Sequence, residues 1–289
     1  MYDYLRRYRR WRKDRAFYRQ GLTKITCGAY EIEAPESHLL IELQKSQPYR
    51  DLCLGISAKC IMAKYPSGTI VDIGANIGDT AAIISTHARP NKLILIEGSD
   101  YFFDILVRNV SQLPGNIVCK KVLVSDVSEA TSGAFIHWGG TAYFHKEAKE
   151  AHVPADRLVN FVDENTRLIK SDTDGYDFRI LIDSLDWLAQ VHPAIMFENQ
   201  IRNGQDLDTA NELCTRLVEI GYAYFIVWDD PGFHLVSTSS LEILTDLNRH
   251  LFKVWQNDGH KSIYNYDILC LHRDDGDVYN EIRRWYKEY

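Results

Sequence analysis

Residues able to do chemistry follow several short apolar runs in this sequence. The first run, 69–74, leads into a turn with glycines at Gly74 and Gly78, and the second run ends at Glu97. Glycines permit a sharp turn and a close approach of the backbone to a ligand. A carboxylate after a second strand can accept hydrogen bonds from both hydroxyls of a ribose. The pattern predicts a site for a nucleoside.

The turn at 71–80 reads VDIGANIGDT, which differs from the dinucleotide fingerprint G-x-G-x-x-G in lacking the third glycine. Asn76 also stands where a pyrophosphate needs bare backbone. Asp72 is placed to reach an ammonium group, while Asp126, after the third run, either faces an adenine or caps a surface turn. These features favour S-adenosylmethionine over a dinucleotide. The predicted cofactor-binding residues are Asp72, Gly74, Ala75, Asn76, Gly78, Asp79, Thr80, Glu97, Gly98, Ser99, Ser125, Asp126 and Ser171.

Strands and helices alternate along most of the chain, which predicts an α/β protein with a parallel sheet covered on both faces. An extension with a basic helix, a strand at 30–35 and helices at 38–65 precedes this pattern, so we expect an extension at 1–65 and the main domain at 66–289. The predicted strands are 69–74, 92–97, 117–124, 167–171, 194–198, 222–228 and 264–272. The predicted helices are 79–88, 101–112, 176–190, 206–220 and 241–256.

Five segments of the sequence resemble the FkbM family of methyltransferases. They are VDIGANIGDT at 71–80, IEGSDYFFDILVRN at 96–109, VLVSD at 122–126, IKSDTDGYDFRIL at 169–181 and IMFEN at 195–199. The resemblance implies a class I, Rossmann-like methyltransferase fold with a seven-stranded, mostly parallel sheet whose last two strands form a reversed hairpin. It also implies O-methylation of a sugar, a glycan or a related small metabolite. Ser171 and Asp174 stand where the family more usually has an apolar residue and a glutamate.

Methyl transfer to an alcohol requires help in removing the proton of the hydroxyl. Asp172 is the first choice as base, and the catalytic set predicted at this sheet edge also contains Lys170, Asp174 and Glu198. A second interpretation uses Asp172, Glu198 and Asn199 as oxygen ligands for a divalent cation such as Mg²⁺. Lys170 would instead neutralise these acids, and helix capping or acceptor binding explains the same residues.

Two aromatic segments are candidates for walls around the acceptor. His137 and His145 flank a glycine-rich stretch at 138–144, and a second stretch lies at 228–233. The histidines have no partner at ligand spacing, so a satisfied or exposed imidazole is the simpler interpretation. Two other functions compete with methyl transfer: a cofactor-binding scaffold without activity, and a nicotinamide-dependent oxidoreductase, which the missing glycine disfavours.

Charge and cysteine content restrict the partners of the protein. A net charge of −7 argues against a general nucleic-acid binder, although residues 1–20 hold eight basic and two acidic residues. This basic helix either docks by its aromatic face or contacts an anionic membrane surface or an acidic glycan. The six cysteines form no C-x-x-C pair, and the first twenty residues lack an apolar signal segment. We expect a cytoplasmic protein, and a homo-oligomer stays open.

Overall fold

The computed structural model describes residues 21–47, 49–126, 131–145, 151–257 and 263–288. The basic helix expected near 2–18 lies outside these residues. The strands are β1 (Leu22–Cys27), β2 (Tyr30–Pro35), β3 (Thr69–Ile73), β4 (Lys92–Glu97), β5 (Ile117–Lys121), β6 (Leu123–Val124), β7 (Thr131–Trp138), β8 (Thr141–His145), β9 (Ala151–Val153), β10 (Ala155–Asp156), β11 (Thr166–Ser171), β12 (Ala194–Asn199), β13 (Tyr222–Asp229), β14 (His234–Thr238) and β15 (Tyr266–His272). The α-helices are α1 (Leu40–Ser46), α2 (Leu52–Lys64), α3 (Asp79–His87), α4 (Asp100–Val110), α5 (Asp177–Asp183), α6 (Leu185–Val191), α7 (Gly204–Glu219), α8 (Leu241–Gln256) and α9 (Gly276–Glu288).

The central sheet has eight strands in the order β14-β13-β15-β12-β11-β3-β4-β5. Strands β5, β4, β3, β11 and β12 are parallel, while β15 runs antiparallel to both of its neighbours, β12 and β13. The mostly parallel sheet and the reversed order of the last core strands are therefore confirmed. This arrangement is the class I, Rossmann-like one that the sequence resemblance implied.

The strand count is eight rather than the expected seven, because β14 adds an edge strand. β14 pairs with β13 through a tight turn in which the N–H of Asp229 donates to the carbonyl of Phe233 at 3.0 Å. Gly232 adopts a φ of +92° in this turn. β14 follows this turn directly, and its five residues are too few to stand out as a strand in sequence.

Helices cover both faces of the sheet. On one face, the hairpin β1–β2 and helices α2, α3, α4 and α9 pack against side chains such as Ile70 and Leu168. On the other face, α5, α6, α7 and α8 pack against Val71 and Ile169. Neighbouring residues of a strand point to opposite faces, so each apolar strand serves two cores. The expected double-sided cover is confirmed.

The hairpin β1–β2 is fixed to the main sheet layer through Asn109 of α4. The Asn109 side chain accepts from the N–H of Glu33 and donates to its carbonyl, both at 2.8 Å. Its amide also donates to the carbonyl of Ile77 at 2.8 Å. One buried amide thus joins the N-terminal hairpin, α4 and the turn after β3. Across the described segments, no helix is long and apolar enough to span a membrane.

Candidate active site

Two neighbouring pockets open at the carboxyl ends of the parallel strands, which is where ligands bind in open α/β sheets. Asp172, directly after β11, contributes to both. The first, which we name the cofactor pocket because the sequence predicts the cofactor there, is lined by Ile73, Gly74, Asn76, Ile96, Glu97, Gly98, Val122, Leu123, Val124, Phe135, Thr141, Ala142, Phe144, Asp172, Thr173, Asp174 and Tyr176. The acidic pocket is lined by Arg50, Asp51, Cys53, Leu54, Lys170, Ser171, Asp172, Met196, Phe197, Glu198, Asp230, Asn265 and Asp267.

The turn between β3 and α3 can be built only with glycine at its two ends. Gly74 has a φ of +79°, and a Cβ there would collide with the carbonyl oxygen of Asp172. Gly78 has a φ of +88° at the start of α3, and a Cβ there would lie 2.9 Å from Leu106. L-residues rarely adopt these angles. The turn therefore lies flat against the end of β11.

Four N–H groups of this turn, at residues 74, 75, 76 and 78, are bonded within the protein. The first two, at 74 and 75, donate to the carbonyl of Ile96 at 2.9 and 3.0 Å. The N–H of Asn76 donates to Glu97 at 2.9 Å, and that of Gly78 donates to the carbonyl of Ala75 at 2.8 Å. A pyrophosphate site instead presents free N–H groups at the helix start. The turn suits a nucleoside better than a dinucleotide.

Glu97 lies at the end of β4, as expected for a ribose ligand. It is 6% exposed, and its two oxygens accept from the N–H groups of Asn76 and Ser99 at 2.9 and 2.7 Å. Burial raises the pKa of Glu97 to about 7. Each oxygen keeps a second lone pair for a hydroxyl donor. The carboxylate is thus held by the backbone and available to the pocket.

Asp72, predicted to reach an ammonium group, is fully buried and has partners within the protein. Its carboxylate accepts from the hydroxyl of Thr80, and the other oxygen lies 3.3 Å from Nζ of Lys170. The same ammonium lies 3.5 Å from Asp172. Burial opposes the charge of Lys170, but these carboxylates hold its pKa well above the usual value. The Lys170 ammonium therefore compensates the negative charges of Asp72 and Asp172 between the two pockets. A cofactor contact for Asp72 stays a prediction.

The loop after β11 is organised by Asp177. This carboxylate accepts from the hydroxyl of Ser171 at 2.6 Å and from the N–H of Thr173 at 3.1 Å. Asp174, with a φ of +54°, accepts from the hydroxyl of Thr141. Burial, followed by the nearby Asp172, raises the pKa of Asp174 to about 7. Ser171 fixes the loop, while Asp172 and Asp174 face the cofactor pocket.

The β7–β8 hairpin forms the outer wall of the cofactor pocket. In its turn, the carbonyl of Gly140 accepts a hydrogen bond from the side-chain amide of Asn76 at 2.8 Å. His137 Nε2 lies 2.6 Å from the hydroxyl oxygen of Ser99, which also caps α4. Phe135 and Phe144 line the cofactor pocket, and a position of the glycine-rich stretch over the acceptor stays a prediction. His145 is exposed at the end of β8.

The acidic pocket gathers carboxylates from distant parts of the chain. Burial raises the pKa of Asp51 to about 6 and of Asp267 to about 8, and it also raises the pKa of Glu198 well above its usual value. Arg50 pairs with Asp230 at 2.9 Å on the rim. Of these residues, the sequence had pointed to Glu198 and to the stretch containing Asp230. Such a pocket can accept hydrogen bonds from several hydroxyl groups at once.

Asn199 does not join the two carboxylates with which it was predicted to bind a cation. Its side-chain amide donates to Asn248 of α8 at 2.8 Å, whereas Glu198 and Asp172 line the acidic pocket. Consecutive residues of a strand face opposite sides of a sheet, so residues 198 and 199 diverge. The structure thus brings together two of the three predicted ligands.

The residues expected at the adenine lie beside the pocket. Val122, Leu123 and Val124 line it, Ser125 is buried, and Asp126 is exposed. Gly98 lies against Phe135, whose ring carbon would be 2.6 Å from an added Cβ. This side of the pocket, where the adenine is predicted to lie, is therefore mainly apolar and aromatic.

Comparisons with known proteins give weak similarities in fold. No protein-family model matches the chain, and no curated protein matches it. The solved structures that are similar include the FkbM methyltransferase from Methylobacillus flagellatus KT, with 11% identity over 71% of this chain and a TM-score of 0.36. This chain spans 43% of that protein.

Two other solved structures cover more of both chains. The plantazolicin methyltransferase BamL, in complex with a triazolic desmethylPZN analog and SAH, has 9% identity over 81% of this chain and 89% of its own, with a TM-score of 0.42. TYW2 of M. jannaschii, in complex with AdoMet, has 10% identity over 87% and 86%, with a TM-score of 0.39. At this degree of similarity, the case for function rests on the residues of the site.

Three residues near the site were missed in sequence because their roles depend on long-range contacts. His38 donates from Nε2 to Asn76 Oδ1 at 3.4 Å and packs below Gly140. Asp51 starts α2, and Asp267 lies in the antiparallel strand β15. An isolated His or Asp in an apolar segment was the only sign of each in sequence.

Proposed function

We propose that this chain is an S-adenosylmethionine-dependent methyltransferase of the FkbM type that methylates a hydroxyl of a saccharide or a related small metabolite. One observation carries the proposal: the buried carboxylate of Glu97 and the glycine turn line a pocket that shares Asp172 with an acidic pocket. A donor and an acceptor bound in the two pockets would meet at Asp172. The cofactor, when bound, supplies a methyl group on a sulfonium.

The cofactor pocket has a complementary surface for each part of an adenosine. Glu97 accepts hydrogen bonds from the ribose hydroxyls, because each oxygen has a lone pair left. Phe135, Phe144 and Tyr176 provide aromatic walls for the base. Gly74 leaves the floor free of side chains towards Asp172. The apolar walls also exclude water from the reacting atoms.

Asp172 is the proposed general base. Its side chain is 48% exposed and stands between the pockets, within 3.5 Å of the Lys170 ammonium. The proton of the acceptor hydroxyl passes to this carboxylate as the oxygen bonds to the methyl carbon and the carbon–sulfur bond breaks. Asp174 is the second candidate, since a pKa of about 7 suits proton transfer near neutrality.

The contacts of the turn argue against a nicotinamide-dependent oxidoreductase. Four of its N–H groups donate within the protein, and Asp79 places a carboxylate in the first turn of α3, where it would repel a pyrophosphate. An inactive scaffold remains the alternative to catalysis. The shared position of Asp172 between two pockets favours catalysis over a scaffold.

Calorimetry on the purified full chain tests the cofactor assignment. We expect micromolar binding of S-adenosylmethionine and no binding of NAD, with or without magnesium. Binding of NAD alone would contradict the proposal. An increase in turnover on addition of magnesium would instead support binding of a cation by Asp172 and Glu198.

Transfer of labelled methyl groups to a panel of saccharides tests catalysis. Asp172→Asn should abolish transfer while cofactor affinity stays within about twofold, because the residue acts on the acceptor. The matched variant Asp104→Asn changes an exposed carboxylate on α4 and should leave transfer unchanged. Equal transfer by both variants would remove Asp172 from the mechanism.

A further inference from the structure

A third cavity, which we name the arginine cleft, lies beside the cofactor pocket. Its volume of about 400 Å³ is typical of small-molecule sites. It shares three residues with the cofactor pocket, namely Phe144, Asp174 and Tyr176. Its other lining residues include Tyr143, Arg179 and Arg202. A ligand in this cleft would therefore border a cofactor bound in the neighbouring pocket.

The guanidinium of Arg202 is held in place on the wall of the cleft. Its Nε donates to the carboxylate of Asp206 at 3.1 Å, and its Nη1 donates to the carbonyl of Asp174 at 3.4 Å. Gly175 provides the room for this arrangement, because a Cβ there would collide with the guanidinium. Within the described segments, Nη2 has no hydrogen-bond partner. The guanidinium thus keeps N–H donors for a ligand.

Arg179 adds a second positive charge to the cleft. It is exposed and has no ion-pair partner in the part of the chain that the structure describes. Burial raises the pKa of Tyr176, and the charges of Arg179 and Arg202 both oppose this rise, so both act on one phenol. Asp206 compensates the charge of Arg202, while burial raises the pKa of Asp174 to about 7 and so reduces its negative charge. The cleft therefore has an excess of positive charge near neutral pH.

The arginine cleft and the acidic pocket differ in the ligands that they can accept. Five acidic and two basic residues line the acidic pocket, which would repel an anion. A guanidinium is planar and binds a carboxylate or a phosphate through paired hydrogen bonds. The cleft also has three aromatic side chains, Tyr143, Phe144 and Tyr176, against which the apolar face of a sugar ring can pack. An anionic sugar therefore fits the cleft better than the acidic pocket.

We propose that the arginine cleft binds an anionic group, a phosphate or a carboxylate, that the saccharide acceptor carries. This inference rests on the proposed function, because the cleft is an acceptor site only if a methyl donor binds beside it. The anionic group lies against Arg179 and Arg202. The hydroxyl to be methylated faces the loop after β11, which carries Asp172 and Asp174. The acceptor is thus a sugar phosphate or a uronic acid rather than a neutral sugar.

Calorimetry on the full chain with saturating S-adenosylhomocysteine tests the cleft, because this product occupies the cofactor pocket and prevents turnover. The probes are hexose phosphates and hexuronic acids, each compared with the corresponding neutral hexose. We expect at least one anionic probe to bind about tenfold or more tightly than its neutral counterpart, as for a charge-assisted hydrogen bond. A preference confined to phosphates or to carboxylates identifies the group that the acceptor carries.

Substitution of each arginine locates the preference for anions. Arg179→Gln and Arg202→Gln should each reduce this preference about tenfold, while the affinity for S-adenosylmethionine stays within about twofold. Arg179 is exposed, so its variant should fold even if Arg202→Gln disturbs the loop. The matched control Arg216→Gln changes an exposed arginine near the other end of α7, outside the cleft, and should keep the preference. Circular dichroism establishes that each variant is folded.

Three results would overturn the inference. The first is equal affinity for anionic and neutral probes, and the second is a preference that persists in both cleft variants. The third is weaker binding of S-adenosylmethionine by the cleft variants, which would assign the arginines to the carboxylate of the cofactor itself. Failure of the proposed function gives a different result, because S-adenosylmethionine and its product would not bind, whereas the arginine-dependent preference can still be measured without them.

Discussion

Gly74 occupies a position where the conformation and the available space both exclude a side chain. Its φ of +79° is unfavourable for L-residues, and an added Cβ would collide with the main chain of Asp172. The added Cβ is fixed in position by the main chain and meets a main-chain oxygen, so the collision cannot be relieved by rotating a side chain. The glycine thus sets the distance between the cofactor turn and the proposed base.

Gly74→Ala should lower the free energy of unfolding by about 3 kcal/mol or more and abolish cofactor binding. Gly115→Ala is the matched control, because Gly115 has a φ of +107° and nothing within 4 Å of an added Cβ. That control should cost only the conformational strain, about 1 to 2 kcal/mol. Chemical denaturation measures both values. Equal losses would show that the contact with Asp172 has no effect.

Glu97 predicts how cofactor binding depends on pH. In the proposed complex, ribose hydroxyls donate to the ionised carboxylate of Glu97, and burial raises the pKa of this group to about 7. The affinity for S-adenosylmethionine should therefore rise as the pH increases from about 6 to about 8. Calorimetry at several pH values measures this trend.

Glu97→Gln separates this residue from other titrating groups such as Asp174. The variant should bind at least about tenfold more weakly, as expected for loss of a charge-assisted hydrogen bond, and its affinity should no longer rise with pH. Glu164→Gln alters an exposed glutamate and should keep the dependence of the parent protein. A persistent slope in Glu97→Gln would assign the dependence to another group.

At the level of elements, the β7–β8 hairpin is held over the cofactor pocket by a few polar contacts. The carbonyl of Gly140 accepts a hydrogen bond from the side chain of Asn76, and the hydroxyl of Thr141 donates one to Asp174. In the proposed complex, the cofactor lies beneath Phe135 and Phe144, which line the pocket. We therefore expect the attachments of the hairpin to slow the exchange of the cofactor.

Thr141→Val should speed dissociation of S-adenosylmethionine several-fold and increase hydrogen exchange at 133–145. The substitution removes the hydroxyl that donates to Asp174 and keeps the shape of the side chain. Thr245→Val is the control, because that hydroxyl donates to the carbonyl of Glu242 within α8, away from the hairpin. Stopped-flow fluorescence and exchange mass spectrometry provide the two measurements. Unchanged exchange at the hairpin would contradict a clamping role.

The sequence predicts elements that depend on local pattern and misses those that depend on distant contacts. The alternation of apolar runs and helices located the strands that carry Asp72, Glu97 and Asp172, because each run is buried on both faces. The divergence of Glu198 and Asn199 also follows from the period of a strand. By contrast, His38 and Asp267 reach the site through tertiary packing that no local pattern encodes.

At the level of the whole molecule, the two ends of the sheet differ in chemistry. Carboxyl groups with raised pKa values gather at the carboxyl edge, whereas the stacked histidines lie at the opposite edge. Lys170 and Arg50 compensate part of the acidic charge. The fold thus tolerates an electrostatic cost at the edge where ligands are expected to bind.

This distribution predicts that the free protein loses stability as the pH rises. A carboxyl with a raised pKa binds more protons in the folded state, so its contribution disappears as the pH passes its folded pKa. The folded pKa is about 7 for Glu97 and Asp174, and about 8 for Asp267. Each such proton contributes a slope of about −1.4 kcal/mol per pH unit within its window.

Buried histidines oppose this trend only at lower pH. Burial lowers the pKa values of His38 and His137 to about 4, so their contribution grows between about 4 and about 6.5 and then stays constant. Between about pH 6.5 and about pH 8, the carboxyls therefore lower the free energy of unfolding without an opposing contribution from these histidines. We expect the free energy of unfolding in urea to fall across this interval. Asp267→Asn should flatten the fall, whereas the exposed control Asp104→Asn should retain it. Stability that is level or rising across the interval would show that these carboxyls are already ionised in the folded protein.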